Sequence, residues 1–224
     1  MKAMLLAAGR GERLRPLTEH TPKALVQVGG KPLIGWHLER LAAAGCREAV
    51  INVSHLAQKI VDTVADGQRF GLAVRYSREA EPLETAGGIA SALPLLGAAP
   101  FLLVNADIYC EVPLRPLLGH RLGNLLAHLV LVPNPAHRSK GDFSLAAGRI
   151  GNDASPRYTY AGVAVMSPQL VAPVKRGEKA PLAPLLYDAV REGQLSGEVF
   201  TGLWQDVGTP ERLAELAAQL ASRT

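Results

Sequence analysis

The first half of the chain alternates apolar runs with helical patterns, and this alternation restricts it to an α/β fold. Apolar runs typical of strands buried on both faces lie at 3–8, 49–53, 72–76 and 101–105. Helical patterns lie between them at 32–45, 56–64 and 89–96. Strands that alternate with helices in this way predict a doubly wound, Rossmann-like sheet that is mainly parallel.

After residue 110 the pattern loosens, although no linker, repeat or low-complexity tract interrupts it. The predicted elements are strands at 126–132, 158–166 and 202–207, a hairpin at 143–150, a helix at 182–190 and a last helix that Thr209 caps and Pro210 opens. We therefore predict a mixed sheet in one domain over residues 1–224, with a first half to about residue 110 and a second half from about residue 111.

The composition argues against several classes of protein. The 48% hydrophobic and 20% charged residues are typical of a globular chain, and no run approaches the roughly 18 apolar residues of a membrane span. Lysines and arginines are scattered and aromatics are only 5%, which argues against nucleic-acid binding. Cys46 and Cys110 have no zinc-type spacing. The apolar start ends at Gly9, so it predicts a buried strand and a cytoplasmic protein rather than a secretion signal.

A loop rich in glycine and arginine follows the first strand. It covers residues 9–24, opens with Gly9–Arg13 and contains Lys23 ten residues further on. Glycines let backbone N–H groups approach phosphate oxygens, and the cations neutralise the phosphate charge. A dinucleotide fingerprint fails because Leu14 stands at its third glycine, and the P-loop fails because Gly30-Lys31 is followed by Pro32. The alternative is an exposed turn with solvated arginines.

Two aspartates stand where predicted strands end. Asp107 comes shortly after Asn105, and Asp206 ends the short strand before the last helix. Open α/β sheets bind ligands at the carboxyl ends of their strands, and Mg²⁺ prefers one or two carboxylates together with substrate phosphates. Each aspartate alone is also compatible with a turn or a helix cap, and the sequence does not show whether the two meet.

Three weaker segments are also compatible with ligand contacts. The small residues 86–88 would permit close backbone contact with a flat ring, or would simply begin a helix. Residues 140–143 and 160–163 could reach a sugar. The same residues are equally compatible with a surface turn and an ordinary strand.

Together these segments resemble the sugar-phosphate nucleotidyltransferase family. The family pattern LAAGxGxRLxPLTxxxPKxL is present from Leu6 to Leu25. The family's two metal aspartates match Asp107 and Asp206, the second within Trp-x-Asp-Val-Gly-Thr. The resemblance spans nearly the whole chain. It departs at Ala106, where the family usually has glycine, and at 178–182, which does not align with the expected sugar-side helix start.

This resemblance implies a GT-A-like fold with a nucleotide-binding first half and a sugar-binding second half. It implies Mg²⁺ held by Asp107 and Asp206, and catalytic contacts from Arg13 and Lys23 to the phosphates. The implied nucleotide contacts, besides Arg13 and Lys23, are Ala8, Gly9, Gly11, Glu12, Ala86, Gly87 and Asn105, and the implied sugar contacts are Asp142 and Gly162.

The resemblance also implies the partners. The features look most like a branch that takes UTP and a cell-wall sugar 1-phosphate, without nucleic acid or membrane, and a monomer is compatible with it. Mannose- or heptose-1-phosphate guanylyltransferases share the early motifs. A non-catalytic nucleotide-sugar sensor would lose a metal carboxylate or the loop arginine, whereas this chain keeps both aspartates, Arg13 and Lys23.

Overall fold

The computed structural model describes residues 1–223; Thr224, the last residue of the predicted domain, lies outside the described residues. The strands are β1 Ala3–Leu6, β2 Gln27–Val28, β3 Lys31–Pro32, β4 Glu48–Val53, β5 Ala73–Arg78, β6 Phe101–Asn105, β7 Ile108–Cys110, β8 Ala127–Val132, β9 Phe143–Ala146, β10 Arg149–Gly151, β11 Arg157–Met166, β12 Leu195–Val199 and β13 Trp204–Asp206. The helices are α1 Leu17–His20, α2 Leu33–Ala43, α3 Ala57–Val64, α4 Glu84–Leu96, α5 Leu114–Gly119, α6 Leu182–Arg191 and α7 Pro210–Ala221. Across residues 1–223, no helix has both the length and the apolar character needed to cross a membrane.

A nine-stranded sheet runs through both halves in the order β5-β4-β1-β6-β11-β8-β12-β10-β9. The four strands β5, β4, β1 and β6 are parallel to one another. β11 then runs antiparallel to β6 on one side and to β8 on the other, and β12 is parallel to β8. The predicted α/β fold with a mixed sheet is confirmed. The expectation that the sheet is mainly parallel holds only in the first half, because β9, β10 and β11 form antiparallel pairs in the second half.

Apolar side chains on both faces of the sheet explain why β1 reads as a continuous apolar run. Leu5 packs into the core formed with α2 and α3, whereas Met4 packs into the opposite core formed with α4 and α6. Both are fully buried. Each such side chain contributes about 1.5–3 kcal/mol to the free energy of unfolding, so the central strands anchor the residues that follow them.

Several elements differ from the sequence prediction. Helix α4 begins at Glu84 rather than at 89, and the predicted loop 9–24 contains 3-10 turns and the single-turn helix α1. β7, α5 and β12 were not predicted. In β12 the apolar alternation is obscured by Gly197, where a Cβ atom would lie 2.7 Å from the carbonyl oxygen of Leu129. The glycine is therefore required by the close approach of the neighbouring strand, which a strand-propensity argument does not detect.

Candidate active site

A cavity that we call the inner cavity lies at the carboxyl ends of β1, β4 and β6. Its lining is Leu6, Ala7, Ala8, Gly9, Lys23, Ala24, Asn52, Pro82, Glu84, Thr85, Asn105, Ala106 and Asp107. The position is the one where parallel α/β sheets bind ligands, because the strand ends leave a crevice there. Of the predicted nucleotide contacts, Ala8, Gly9, Lys23 and Asn105 lie on this lining.

A second depression, the outer cleft, continues the inner cavity toward solvent. It is lined by Gly9, Arg10, Gly11, Glu12, Arg13, Lys23, Glu81, Pro82, Glu84, Asp107, Lys179 and Gly208. The two share five lining residues, which are Gly9, Lys23, Pro82, Glu84 and Asp107. The predicted loop residues Gly11, Glu12 and Arg13 therefore lie beside the inner cavity, with several cations around one opening.

Gly11 sets the path of this loop. Its φ of +66° is a left-handed conformation, and a Cβ there would lie 3.0 Å from Thr18 Cγ2 and 3.1 Å from Lys23 Cβ. The Thr18 hydroxyl donates to the carbonyl oxygen of Gly11 at 2.8 Å, as does the Leu14 N–H at 2.9 Å. The loop folds back on itself at this glycine, which brings Lys23 against the start of the loop.

Lys23 and Asp107 form an ion pair inside the site. Lys23 Nζ lies 2.6 Å from Asp107 Oδ2, and the lysine side chain is 12% exposed while the aspartate is 44% exposed. Across residues 1–223, this lysine is the sole hydrogen-bond partner of the Asp107 carboxylate. The other carboxylate oxygen is thus available toward the cleft.

The backbone of the second predicted metal ligand, Asp206, lies close to that of Asp107, but its carboxylate binds other side chains. β13 pairs antiparallel with β7, and the Val207 N–H donates to the Asp107 carbonyl oxygen at 2.9 Å. The Asp206 carboxylate accepts from Arg212 Nη1 at 2.7 and 2.6 Å and lies 3.2 Å from His137 Nε2. It lines a side pocket with these two residues rather than the inner cavity.

The donors present fit Mg²⁺ in type, since both are hard carboxylate oxygens. In residues 1–223 no group of three or more histidine, cysteine, aspartate or glutamate side chains gathers into a metal site. Two carboxylates suffice only where substrate phosphates complete the coordination shell, which is how Mg²⁺ is usually held. To bind the metal ion, the Asp206 carboxylate would have to give up its hydrogen bonds with Arg212.

The backbone N–H groups at the start of α4 are already hydrogen-bonded within the protein. The N–H groups of Ala86 and Gly87 both donate to the carbonyl oxygen of Ala180, at 3.0 and 3.1 Å. Neither residue lines the inner cavity, whereas Glu84 and Thr85 do. The segment before α6 therefore already occupies these two amides, and a nucleotide contact at Ala86 and Gly87 stays a prediction.

The two predicted sugar contacts have different surroundings. Gly162 has φ of +76° and lies against Asn105, since a Cβ there would be 2.8 Å from Asn105 Nδ2. It forms part of an irregularity in the pairing of β11 with β8. Asp142 Oδ2 accepts the N–H of Tyr160 at 2.8 Å, so its carboxylate supports this bulge from behind. Gly162 thus contacts a lining residue of the inner cavity without lining it, and Asp142 lies one contact further away.

Helix α2 holds the strand that follows Asp107. His37 Nε2–H donates to the carbonyl oxygen of Ile108 at 2.7 Å, and Arg40 donates to the carbonyl oxygens of Cys110 and Val112. Burial lowers the pKa of His37 to about 4, so the ring is neutral at pH 7. These contacts fix β7, and with it Asp107 and the paired β13.

Sequence reasoning missed Asn52, Glu79, Gly208 and Arg212. A Cβ at position 208 would lie 2.5 Å from Arg212 Nη2 and 3.2 Å from Arg13 Nη2, so two guanidinium groups lie against this glycine. Asn52 did carry a signal, because a buried polar residue inside the apolar run 49–53 requires a partner. The others depend on contacts between distant segments.

Three comparisons relate the chain to known proteins. Residues 2–132 match the family model described as Nucleotidyl transferase. The chain is 48% identical to the N-acetylmuramate alpha-1-phosphate uridylyltransferase of Neisseria meningitidis serogroup B, covering 97% of each chain. It is 29% identical to the mannose-1-phosphate guanylyltransferase catalytic subunit beta of Drosophila melanogaster, covering 94% of this chain and 60% of that one.

Among solved structures, a protein from Bacillus anthracis assigned as a glucose-1-phosphate thymidylyltransferase superposes with a TM-score of 0.86. The two are 20% identical, and the superposition covers 98% of this chain and 95% of that one. At that identity the likeness concerns the fold.

Proposed function

The chain belongs to the nucleotidyl transferase family, and on that premise we propose that it transfers the uridylyl group of UTP to N-acetylmuramic acid 1-phosphate. The products are UDP-N-acetylmuramic acid and pyrophosphate. The observation that carries the proposal is the arrangement of Arg13, Lys23 and Asp107 around one opening at the carboxyl edge of the sheet. The 48% identical relative supports the choice of base and sugar.

The reaction needs positioning and charge stabilisation rather than a general base. A phosphate oxygen of the sugar 1-phosphate is already an anion, and it attacks the α-phosphorus of UTP. The bond between that phosphorus and the bridging oxygen to the β-phosphate breaks, and pyrophosphate leaves with the electron pair. Bringing two polyanions together is the main barrier, so fixed cations and dipoles supply most of the catalysis.

The residues of the outer cleft have distinct proposed roles. Arg13 holds the β- and γ-phosphates and the leaving pyrophosphate, whereas Lys23 contacts the α-phosphate and the incoming phosphate. Backbone N–H groups at Gly11 and Glu12 add donors at the same opening. Lys23 is now paired with Asp107, so substrate phosphates would share this lysine with the aspartate.

Asp107 and Asp206 are the proposed ligands of Mg²⁺. Proteins of this family generally use a divalent metal ion. When bound, the ion would offset the charge of the phosphates that it joins. Arg212 and His137 at present offset the charge of Asp206. The proposed contribution of this chain is to present the two carboxylates on paired strands, with Arg212 able to leave one of them.

Sugar recognition is proposed to involve the second half of the chain. Gly162 stands over Asn105 at the inner cavity, and Asp142 supports the bulge that carries it. Trp204 Nε1–H donates to the Ala161 carbonyl oxygen at 2.8 Å, which ties the bulge to the strand of Asp206. Muramic acid carries a lactyl carboxylate, and a site built for that group should reject a sugar that lacks it.

The biological setting belongs to the same proposal. We place the reaction in the cytoplasm and in the recycling of cell-wall sugars, where the product would re-enter peptidoglycan synthesis. The Neisseria relative supports the link to cell-wall sugars, because its name gives N-acetylmuramate 1-phosphate as its substrate.

Pyrophosphate release across four nucleoside triphosphates and a panel of sugar 1-phosphates tests the proposal. We expect the highest kcat/KM for UTP with N-acetylmuramic acid 1-phosphate, and a poor rate with N-acetylglucosamine 1-phosphate. Comparable kcat/KM for these two sugars would contradict the muramate assignment. A clear preference for GTP and mannose 1-phosphate would move the assignment to a guanylyltransferase.

A further inference from the structure

Asn52 and Glu79 form a buried polar pair behind the inner cavity. Asn52 lies near the end of β4, and Glu79 follows β5 on the neighbouring strand. They are 2% and 7% exposed, and Asn52 Nδ2 donates to Glu79 Oε1 at 2.7 Å. Within residues 1–223, Glu79 has no ion-pair partner, so a carboxylate is buried here on neutral donors.

The pair connects two walls of the inner cavity. On one side, Asn52 Oδ1 accepts the N–H of Ala7 at 2.8 Å, where β1 leads into the glycine loop. On the other side, Glu79 Oε2 accepts the N–H of Leu83 at 3.0 Å, just before α4. Three hydrogen bonds therefore run in series from the phosphate loop to the wall that carries Thr85.

Close packing fixes the same pair from a third side. A Cβ at Gly88 in α4 would lie 2.7 Å from Asn52 Nδ2 and 2.8 Å from Glu79 Oε1. The backbone of α4 thus rests directly on the two polar groups. Each side-chain oxygen and nitrogen of the pair has a hydrogen-bond partner, and such a buried network favours one geometry, since a shift leaves a donor or acceptor unpaired.

We propose that Asn52 and Glu79 are positioning residues that set the separation of the two cavity walls and thereby the affinity for the nucleoside triphosphate. This rests on the proposed function. A merely structural pair would affect only stability, whereas this one joins Ala7 and Leu83, each next to residues that line the cavity.

Reversal of the hydrogen-bond direction tests the pair. In Glu79→Gln, one side-chain N–H must face another donor, either at Asn52 or at Leu83. In Asn52→Asp, two carboxylates face each other at the position of the present 2.7 Å contact. In the double variant Asn52→Asp/Glu79→Gln, the new amide donates to the new carboxylate, and both backbone N–H groups keep an acceptor.

The readouts are the UTP dissociation constant by titration calorimetry without sugar phosphate, the KM for UTP, kcat and the melting temperature. We expect each single variant to weaken UTP binding by about tenfold or more, with a smaller change in kcat. We expect the double variant to bind more tightly than either single one. Glu111→Gln is the matched control, because it removes a surface ion pair with Arg223 away from both cavities and should leave UTP binding unchanged.

Single variants that melt earlier but bind UTP like the wild type would overturn the proposal, because the pair would then be structural only. A double variant whose fold-loss of UTP affinity equals the product of the two single-variant losses would overturn the proposal as well. Binding is read without sugar phosphate, so it remains informative even if the wild type turns over none of the sugars. That last result would contradict the proposed function alone.

Discussion

The two walls of the inner cavity are built in opposite ways. The phosphate side, from Gly9 to Lys23, points its cations toward an open cleft. The opposite wall, at the start of α4 and proposed to meet the base, turns the N–H groups of Ala86 and Gly87 toward Ala180. One wall is therefore a set of available charges on a loop, and the other is a packed surface. Changes on the first should alter the rate, and changes on the second should alter binding and stability.

The largest expected effect comes from the two aspartates next to the phosphate side. We expect Asp107→Asn and Asp206→Asn each to lower kcat by about 10³-fold or more, because charge stabilisation at the phosphates is lost. Pyrophosphate release measures this, and circular dichroism should show an intact fold. EDTA should inhibit the wild type and Mg²⁺ should restore it. Full activity in either variant would remove that residue from the metal site.

Two loop arginines sharpen the contrast within the phosphate side. Arg13→Ala should lower kcat/KM by about 10²–10³-fold, since a charge contact in the transition state disappears. Arg10 lines the same cleft but occupies a variable position of the Gly-x-Gly-x-Arg pattern, so Arg10→Ala should change kcat/KM only a few-fold. Equal losses in the two variants would show that the wrong arginine was assigned to the pyrophosphate.

A matched pair of glycine variants compares the surroundings of the two walls, because Gly208 lies against Arg13 and Gly87 lies in α4. In Gly208→Ala the new methyl meets the guanidinium ends of Arg13 and Arg212 rather than backbone, so we expect about a tenfold lower kcat and an almost unchanged melting temperature. In Gly87→Ala it meets the backbone carbonyl of Glu178, so we expect the melting temperature to fall by about 3–10 °C. Thermal melts and steady-state kinetics on both variants measure these changes. A large fall in melting temperature for Gly208→Ala with a large fall in kcat for Gly87→Ala would contradict the comparison.

The smallest effect at neutral pH is expected from His37 behind the phosphate side. Burial lowers its pKa from 6.5 to about 4 in the folded protein, so the unfolded chain binds the proton more readily. The stabilisation is therefore complete above pH 6.5 and is lost as the pH falls toward 4, by at most about 3 kcal/mol. Urea unfolding of the wild type and of His37→Gln at pH 7 and pH 5 measures it. A wild-type loss no larger than that of the variant would exclude His37 as the source.

The predictability of the site follows the same division. β1, the glycine loop and Asp107 were predicted because their signals are local: an apolar run, a glycine spacing and a polar residue at a strand end. The engagement of Asp206 by Arg212 was not predictable, since it depends on how α7 packs beside β13. Nor were the occupied amides of α4, because Ala180 lies far along the chain. Long-range backbone contacts leave no periodic trace in a sequence.

The place of β11 between β6 and β8 also has a consequence for how the chain is made. Until β11 leaves the ribosome, one edge of β6 has no partner, and its backbone N–H and C=O groups can pair with another chain. At roughly 5–20 residues per second this open edge lasts several seconds. A fragment ending near residue 110 would keep it permanently, so light scattering should show it to aggregate while the full chain stays monodisperse. The strand that completes the sheet thus also ends the interval in which a nascent chain is most exposed to misassembly.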